Sequence, residues 1–162
     1  ISVVESLKHA ACANGAAVEI QWADSELVSS SNVDQILNDA AGLLVPVGFG
    51  YRGHEGKITA IEYARTHNVP FLGLCLGMQM AIVEFARHVL GYADAHSSEL
   101  NPNTTHPVIH IMPDQHNVTD LGGTLRLGAY KCVLDENSKA HELYGEKVME
   151  ERHRHRYEVN NE

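Results

Sequence analysis

Apolar and polar residues follow one another along this chain in two different rhythms. From residue 1 to about 14, Val3, Val4, Leu7, Ala10 and Ala11 fall on one helical face, and Gly15 ends the run. Val18-Glu19-Ile20-Gln21-Trp22 alternates with period two and predicts a strand. A polar stretch from Asp24 to Asn32 precedes a short predicted helix over Val33 to Asn38. Leu43 to Val47 is continuously apolar, the pattern of a buried strand, and runs into a glycine-rich loop. Lys57 to His67 predicts a helix with Ile58, Ile61 and Ala64 facing inward. Val69 to Leu74 predicts the next strand, and Met78 to Leu90 an amphipathic helix closed by Gly91.

Strands and helices in alternation with short links predict a parallel sheet covered on both faces. The rhythm changes near Pro107. Val108 to Met112, Gly123 to Leu127, Tyr130 to Leu134 and Arg154 to Val159 read as short strands separated by turns. The expected fold is therefore α/β, a mostly parallel central sheet flanked by helices, with a small antiparallel flank. No repeat or linker divides it, so 1–162 reads as one domain. Both ends read as cut, because the chain opens inside a helical pattern and stops just past a predicted strand.

Composition narrows the function classes. With 12 basic against 21 acidic residues the net charge is −9, which argues against nucleic acid or an anionic membrane surface as a partner. No apolar run approaches the ~20 residues of a membrane span, and no signal-peptide pattern opens the chain. Cys12, Cys75 and Cys132 are odd in number and widely spaced, which is no disulfide framework and points to a reducing cytoplasm.

Gly48-Phe49-Gly50-Tyr51-Arg52-Gly53 matches G-x-G-x-x-G after an apolar run. A dinucleotide loop needs an acidic residue at the tip of the next strand to hold the ribose. That strand ends instead in Cys75, and Arg52, His54 and Glu55 crowd the place where pyrophosphate would meet a bare helix end. The dinucleotide reading fails on context.

At that strand tip stands Gly73-Leu74-Cys75-Leu76-Gly77, a G-x-nucleophile-x-G elbow with cysteine as the nucleophile. The sharp turn needs small residues two before and two after the nucleophile. The helix that follows offers free N–H groups and a positive dipole end, which favour thiolate. Leu76 N–H is the natural oxyanion donor. A cysteine near a strand end is more often a small buried hydrophobe. The flanking glycines separate Cys75 from that case, whereas Cys12 and Cys132 fit it.

The stretches "VPVGFGYRGHEGKI", "PFLGLCLGMQMAIVEFARHVLG", "ADAHSSEL", "HPVI", "LGGTLRLG" and "ERHRHRYEVNNE" span nearly the whole chain. Together they resemble the glutaminase domains of the CTP synthase family, which are class I (triad) glutamine amidotransferases. The resemblance implies hydrolysis of L-glutamine to glutamate and ammonia, with Cys75 forming a glutamyl thioester. It places the oxyanion between the N–H groups of Leu76 and Gly48. The implied substrate-binding set is Gly48, Leu76, Gly77, Met78, Gln79, Glu99 and Arg156, with Glu99 on the amino group and Arg156 on the carboxylate. It further implies a synthetase domain in the same chain that aminates UTP to CTP with ATP and magnesium, GTP as an activator, a homo-tetramer, and no cofactor in the glutaminase domain itself.

The residues alone leave some of these positions open. Glu99, in a polar stretch, reads equally as a solvated surface acid. Arg152 to Arg156 reads equally as a solvated face or an anion site. His153 and His155 would share one face of a strand, but no third ligand stands at matching spacing, so no metal site is expected. On a continuous strand Arg152, Arg154 and Arg156 would take the opposite face.

Two departures from the family pattern stand out. Val47 replaces a glycine of the loop that the resemblance assigns to the oxyanion; if that position requires positive φ, the β-branched side chain costs about 1–3 kcal/mol. Replacing it with glycine is then expected to raise turnover. Second, the family's triad His and Glu lie on a His-Pro-Glu segment beyond the last predicted strand, and none of the 11 histidines here stands in that setting. A degenerate amidotransferase-like domain that binds without turnover is therefore the alternative function. A cysteine-peptidase-like or chaperone-like relative with the same elbow is a more distant one.

Overall fold

The computed structural model describes residues 1–112 and 126–161. Helix α1 (Ser2–Ala13) opens the chain, and α2 (Val33–Leu37) follows after an irregular stretch. Strand β1 (Leu43–Val45) is followed by α3 (His54–Thr66), β2 (Phe71–Gly73) and α4 (Leu76–His88). β1 and β2 pair in parallel, Leu43 opposite Phe71 and Val45 opposite Gly73, with α3 as the crossover. Both strands are shorter than the apolar runs that encode them. Pro46 and Pro70, which have no N–H to give to a ladder, stand just outside their ends.

The core lies where α3 and α4 meet the sheet. Val45, Ile58, Ile61, Leu76, Met80, Val83 and Ile109 form one buried cluster, and Val33, Leu37, Ala60 and Tyr63 a second beneath α2. The inward face of α3 is the one its spacing predicts: Ile58, Ile61 and Ala64 are all buried.

The later elements are β3 (His96–Ser97), β4 (Pro107–Ile111), β5 (Arg126–Val133), α5 (Lys139–Tyr144), β6 (Val148–His155) and β7 (Tyr157–Val159). β4 pairs with β3 in parallel and with β7 in antiparallel, Ile109 opposite Val159. β5 and β6 form an antiparallel ribbon from Arg126 opposite His155 to Val133 opposite Val148. The α/β class with small antiparallel sheets agrees with the pattern in the sequence.

Four local expectations differ. Val18 to Trp22 is irregular, not a strand, and Trp22 is 81% exposed. Alternation makes a strand only where a neighbouring backbone pairs with it, and none of the described residues does. Arg154 to Val159 is not one strand but the end of β6 and the whole of β7, separated at Arg156. Tyr130 to Leu134 is the end of a longer strand, whereas Gly123 to Leu127 lies mostly outside the described residues. Helix α5 went unpredicted, although its ends are marked in the sequence. The Ser138 side chain accepts from His141 N–H at its start, and Gly145 closes it at φ 70.

A charged pair ties α3 to α4. Arg65 donates to both carboxylate oxygens of Glu84 through Nε (3.0 and 3.1 Å) and to one through Nη2 (2.8 Å), while Glu84 is 1% exposed. His88 Nδ1 stands 3.2 Å from the same carboxylate. Arg65→Ala leaves a buried carboxylate without its main partner. It is expected to destabilise the domain by about 3 kcal/mol, read as a lower denaturant midpoint with an unchanged m-value.

Candidate active site

Cys75 caps the start of α4 with φ 56 and ψ −104, a left-handed backbone that a side-chain-bearing residue rarely adopts. The cost of such a residue is about 1–3 kcal/mol, held in place by what surrounds it. The surroundings here are two glycines. A Cβ on Gly73 would stand 2.6 Å from Gly77 C and from Met78 N, and a Cβ on Gly77 would run into the Val45 carbonyl oxygen. Helix α4 thus presses its first turn onto the end of β1, and the chain must turn sharply at Cys75. This is the elbow that the G-x-C-x-G spacing predicts.

The turn opens onto a cavity of about 310 Å³ lined by Gly48, Phe49, Gly50, Cys75, Leu76, Gln79, Glu99, Leu100, His155, Arg156 and Tyr157. Of the residues expected to bind substrate, Gly48, Leu76, Gln79, Glu99 and Arg156 converge here with Cys75. Gly77 and Met78 do not line it: Gly77 is packed against Val45, and Met78 is 41% exposed. The glycine loop forms one wall, and Gly48 lies so close to Leu76 that a Cβ would stand 2.9 Å from Leu76 Cδ2. Buried Gln79 donates from Nε2 to Tyr157 O at 3.1 Å and so fastens the cavity floor to β7. A wider hollow of about 460 Å³, lined in part by Ser25, His54 and His96, holds neither Cys75 nor Arg156.

The cavity carries opposite charges. Partial burial raises the Glu99 carboxyl above its usual range, against the pull of Arg156 in the other direction. The Arg156 Nε is buried and has no partner among the described residues. A buried N–H without an acceptor is costly, and a guanidinium beside a cavity is suited to a carboxylate.

Burial also raises the Cys75 thiol above its ordinary value; the Leu76 N–H at the sulfur lowers it by less, and the Glu99 charge raises it further. The expected helix-end activation is thus present but outweighed, and the thiol needs a base. His155 supplies an imidazole: its Nε2 stands 3.1 Å from Cys75 Sγ. Its Nδ1 lies 3.9 Å from Glu158 Oε1, and His153 Nδ1 lies 3.5 Å from the same oxygen. None of this was visible in linear spacing. On a continuous strand His155 and Arg156 would face opposite ways, but the break at Arg156 lets both line one cavity. Glu158 reaches the two imidazoles from β7 for the same reason.

The concern over Val47 does not survive the geometry. Its φ lies outside the left-handed region, which among side-chain-bearing described residues holds Asn68 and Cys75, and its side chain is 58% exposed. The strain argued from its β-branch is not present.

Comparison with known proteins agrees with the fold. The family model for glutamine amidotransferase class-I matches residues 1–162, and the chain belongs to that family. Among curated proteins it is 59% identical to a CTP synthase of Geobacillus kaustophilus and 57% identical to one of Clostridium beijerinckii. Each match takes in 100% of this chain and 30% of the relative, so the chain spans about a third of their length. A solved structure described as the glutaminase domain of Trypanosoma brucei CTPS with bound acivicin superposes with a TM-score of 0.89 at 38% identity, over 98% of this chain and 61% of that one. This is a glutamine amidotransferase domain of the kind found in CTP synthases.

Two outcomes follow from the site. Alkylation of Cys75 by iodoacetamide is expected to rise with pH through a midpoint above that of an ordinary thiol. Glu99→Gln should move that midpoint down, because removing the negative charge favours thiolate. An unchanged midpoint in Glu99→Gln would show that the two groups do not interact. Val47→Gly is expected to change the rate of acylation at Cys75 by less than about threefold, since no backbone strain of the kind that costs 1 kcal/mol or more is relieved; a tenfold gain in rapid-quench measurements would restore the strain argument.

Proposed function

We propose that this chain is the glutaminase domain of a CTP synthase, releasing ammonia from L-glutamine through a thioester on Cys75. The observation that carries the reading is the meeting of a strained cysteine, a carboxylate and a guanidinium with an unbonded Nε–H in one cavity. An amino acid zwitterion needs one anion and one cation, and an arginine offers a two-pronged grip on carboxylate. Arg156 takes the α-carboxylate and Glu99 the α-ammonium, which leaves the side-chain amide at Cys75.

The sulfur then bonds to the amide carbon, the carbonyl oxygen gathers negative charge, and the N–H groups of Leu76 and Gly48 receive it. The C–N bond breaks and ammonia leaves with the proton that began on the thiol. Water attacks the thioester, giving glutamate and restoring the thiol. The geometry offers His155 as the proton carrier, at 3.1 Å from the sulfur. The family resemblance offers a His and a Glu on a His-Pro-Glu segment of longer relatives.

Ammonia would pass to a synthetase domain that converts UTP to CTP with ATP and Mg²⁺, in a cytoplasmic homo-tetramer activated by GTP. ATP and Mg²⁺ would be held by that domain. The cavity described here sets one carboxylate beside one guanidinium, a match for a zwitterion and a poor one for a triphosphate. A domain that binds glutamine without turnover is the competing reading.

In the full-length protein, a glutamine-analogue electrophile is expected to leave a single adduct on Cys75 by mass spectrometry, with glutamate released from glutamine. Cys75→Ala should abolish both. An adduct without release supports the binding domain, and no adduct overturns the proposal. Arg156→Lys should raise KM for glutamine roughly tenfold or more, since a point charge replaces the fork at a cost of about 1.4 kcal/mol or greater. His155→Gln separates the two bases. A fall in thioester formation of roughly 10²-fold or more assigns the proton to His155, in line with general-base catalysis, and a near-unchanged rate assigns it to the other segment.

A further inference from the structure

Glu99 sits on a turn that leaves β3. Ser97 O accepts from Leu100 N–H (3.1 Å) and from Asn101 N–H (2.9 Å), and Ser97 Oγ accepts from Glu99 N–H at 3.3 Å. The fully buried Ser97 thus closes the base of the turn. The next residue ties the turn sideways to β4. Ser98 N–H donates to Ile109 O at 2.9 Å, and Ser98 Oγ stands 2.7 Å from His110 Nδ1. A hydroxyl both donates and accepts, so this bond holds with either tautomer of the imidazole.

The same strand also bears the opposite arm of the cavity. Just past the end of β4, Met112 N–H donates to Arg156 O at 3.1 Å, and Ile111 pairs with Tyr157. Ile109, in the middle of β4, is fully buried in the core with Met80 and Val83 of α4. One strand, packed on the helix that starts beside Cys75, therefore carries both the turn that presents Glu99 and the backbone of Arg156. The bond from Ser98 N–H to Ile109 gives the turn a single attachment, about which it can swing. The side-chain bond to His110, one residue along, gives it a second and removes that freedom.

We infer that Ser98 and His110 are positioning residues for the substrate's α-ammonium group: the hydrogen bond between them holds the Glu99 turn on β4 and sets its carboxylate at a fixed offset from the Arg156 guanidinium. What the carboxylate binds rests on the glutaminase reading above. Neither Ser98 nor His110 lines the cavity, so their effect passes through Glu99. An α-amino acid carries both its charges on one carbon, so the two arms that grip it must keep a set separation. A carboxylate free to wander has to be ordered on binding, at a cost in affinity. The ammonium lies away from the reacting amide, so the loss falls on binding and not on the chemical step. The Glu99 charge also acts on the Cys75 thiol, which makes the thiol a reporter of carboxylate position that needs no glutamine.

In the full-length protein, Ser98→Ala is expected to raise KM for glutamine roughly fivefold, the scale of one hydrogen bond, with kcat within about twofold of native. His110 also stands opposite Glu158 in the β4–β7 ladder, so Ser98→Ala is the narrower cut. His110→Leu should raise KM as well, and the double variant should fall short of the product of the two single effects, as for partners in one bond. Iodoacetamide alkylation of Cys75 supplies the second readout. Ser98→Ala should move its pH midpoint down, toward that of Glu99→Gln, and should move it no further once Glu99 is already Gln. Unchanged KM and midpoint in Ser98→Ala overturn the inference and leave the glutaminase reading in place. So does a midpoint shift that persists in the Glu99→Gln background, because the effect would then not pass through Glu99. Absence of glutamine hydrolysis in the native protein counts instead against the glutaminase reading, and the alkylation comparison then decides the positioning of Glu99 by itself.

Discussion

The contact on which the rest of this structure turns is the pressing of the first turn of α4 against the end of β1. Gly77 meets the Val45 carbonyl with no room for a side chain, and Gly73 meets the backbone of Gly77 and Met78 with none either. A helix that begins this close to the sheet leaves the chain no extended route from β2. Cys75 takes a left-handed backbone in consequence. The same approach seats Leu76 in the core beside Met80 and Val83 and brings its N–H to the sulfur. Strain at the cysteine is thus held by core burial, and a site of fixed shape results.

Electrostatics then divide the labour around that fixed sulfur. Burial favours the protonated thiol in the resting site, and the Glu99 charge reinforces this. A thiolate is therefore not favoured in the resting site, and in the proposed reaction it is made by proton transfer to a neighbouring imidazole. In the proposed reaction the substrate changes these terms on arrival. Its carboxylate meets the Arg156 guanidinium and its ammonium partners Glu99, so glutamine itself lessens the charge that opposes thiolate. In that reaction Glu99 serves both binding and activation.

The break between β6 and β7 has the widest reach of any local irregularity. β6 belongs to a ribbon with β5, whereas β7 pairs with β4 beside the core. The residue between them, Arg156, sits where two sheets meet and can point into the cavity with His155. Tyr157, next along, gives its carbonyl to Gln79, which locks that junction to the helix carrying the cysteine. The trio of His153, His155 and Glu158 exists because of this junction alone.

Sequence by itself determined the parts governed by short-range rules. The helical faces of α3 and α4, the two parallel strands and the elbow all follow from periodicity and from glycines at fixed offsets around Cys75, since backbone clearance over five residues is a local matter. The family's motifs also placed Glu99 and Arg156, which spacing could not. Tertiary structure decided everything that depends on which backbones become neighbours. Val18 to Trp22 alternates as a strand should, yet pairs with none of the described residues. Val47 proved free of strain because φ is set by the loop's path, not by the residue type. His155 and Glu158 are three apart in the chain and carry no signature. They meet only because the strand breaks at Arg156, and the break follows from two sheets competing for one length of chain.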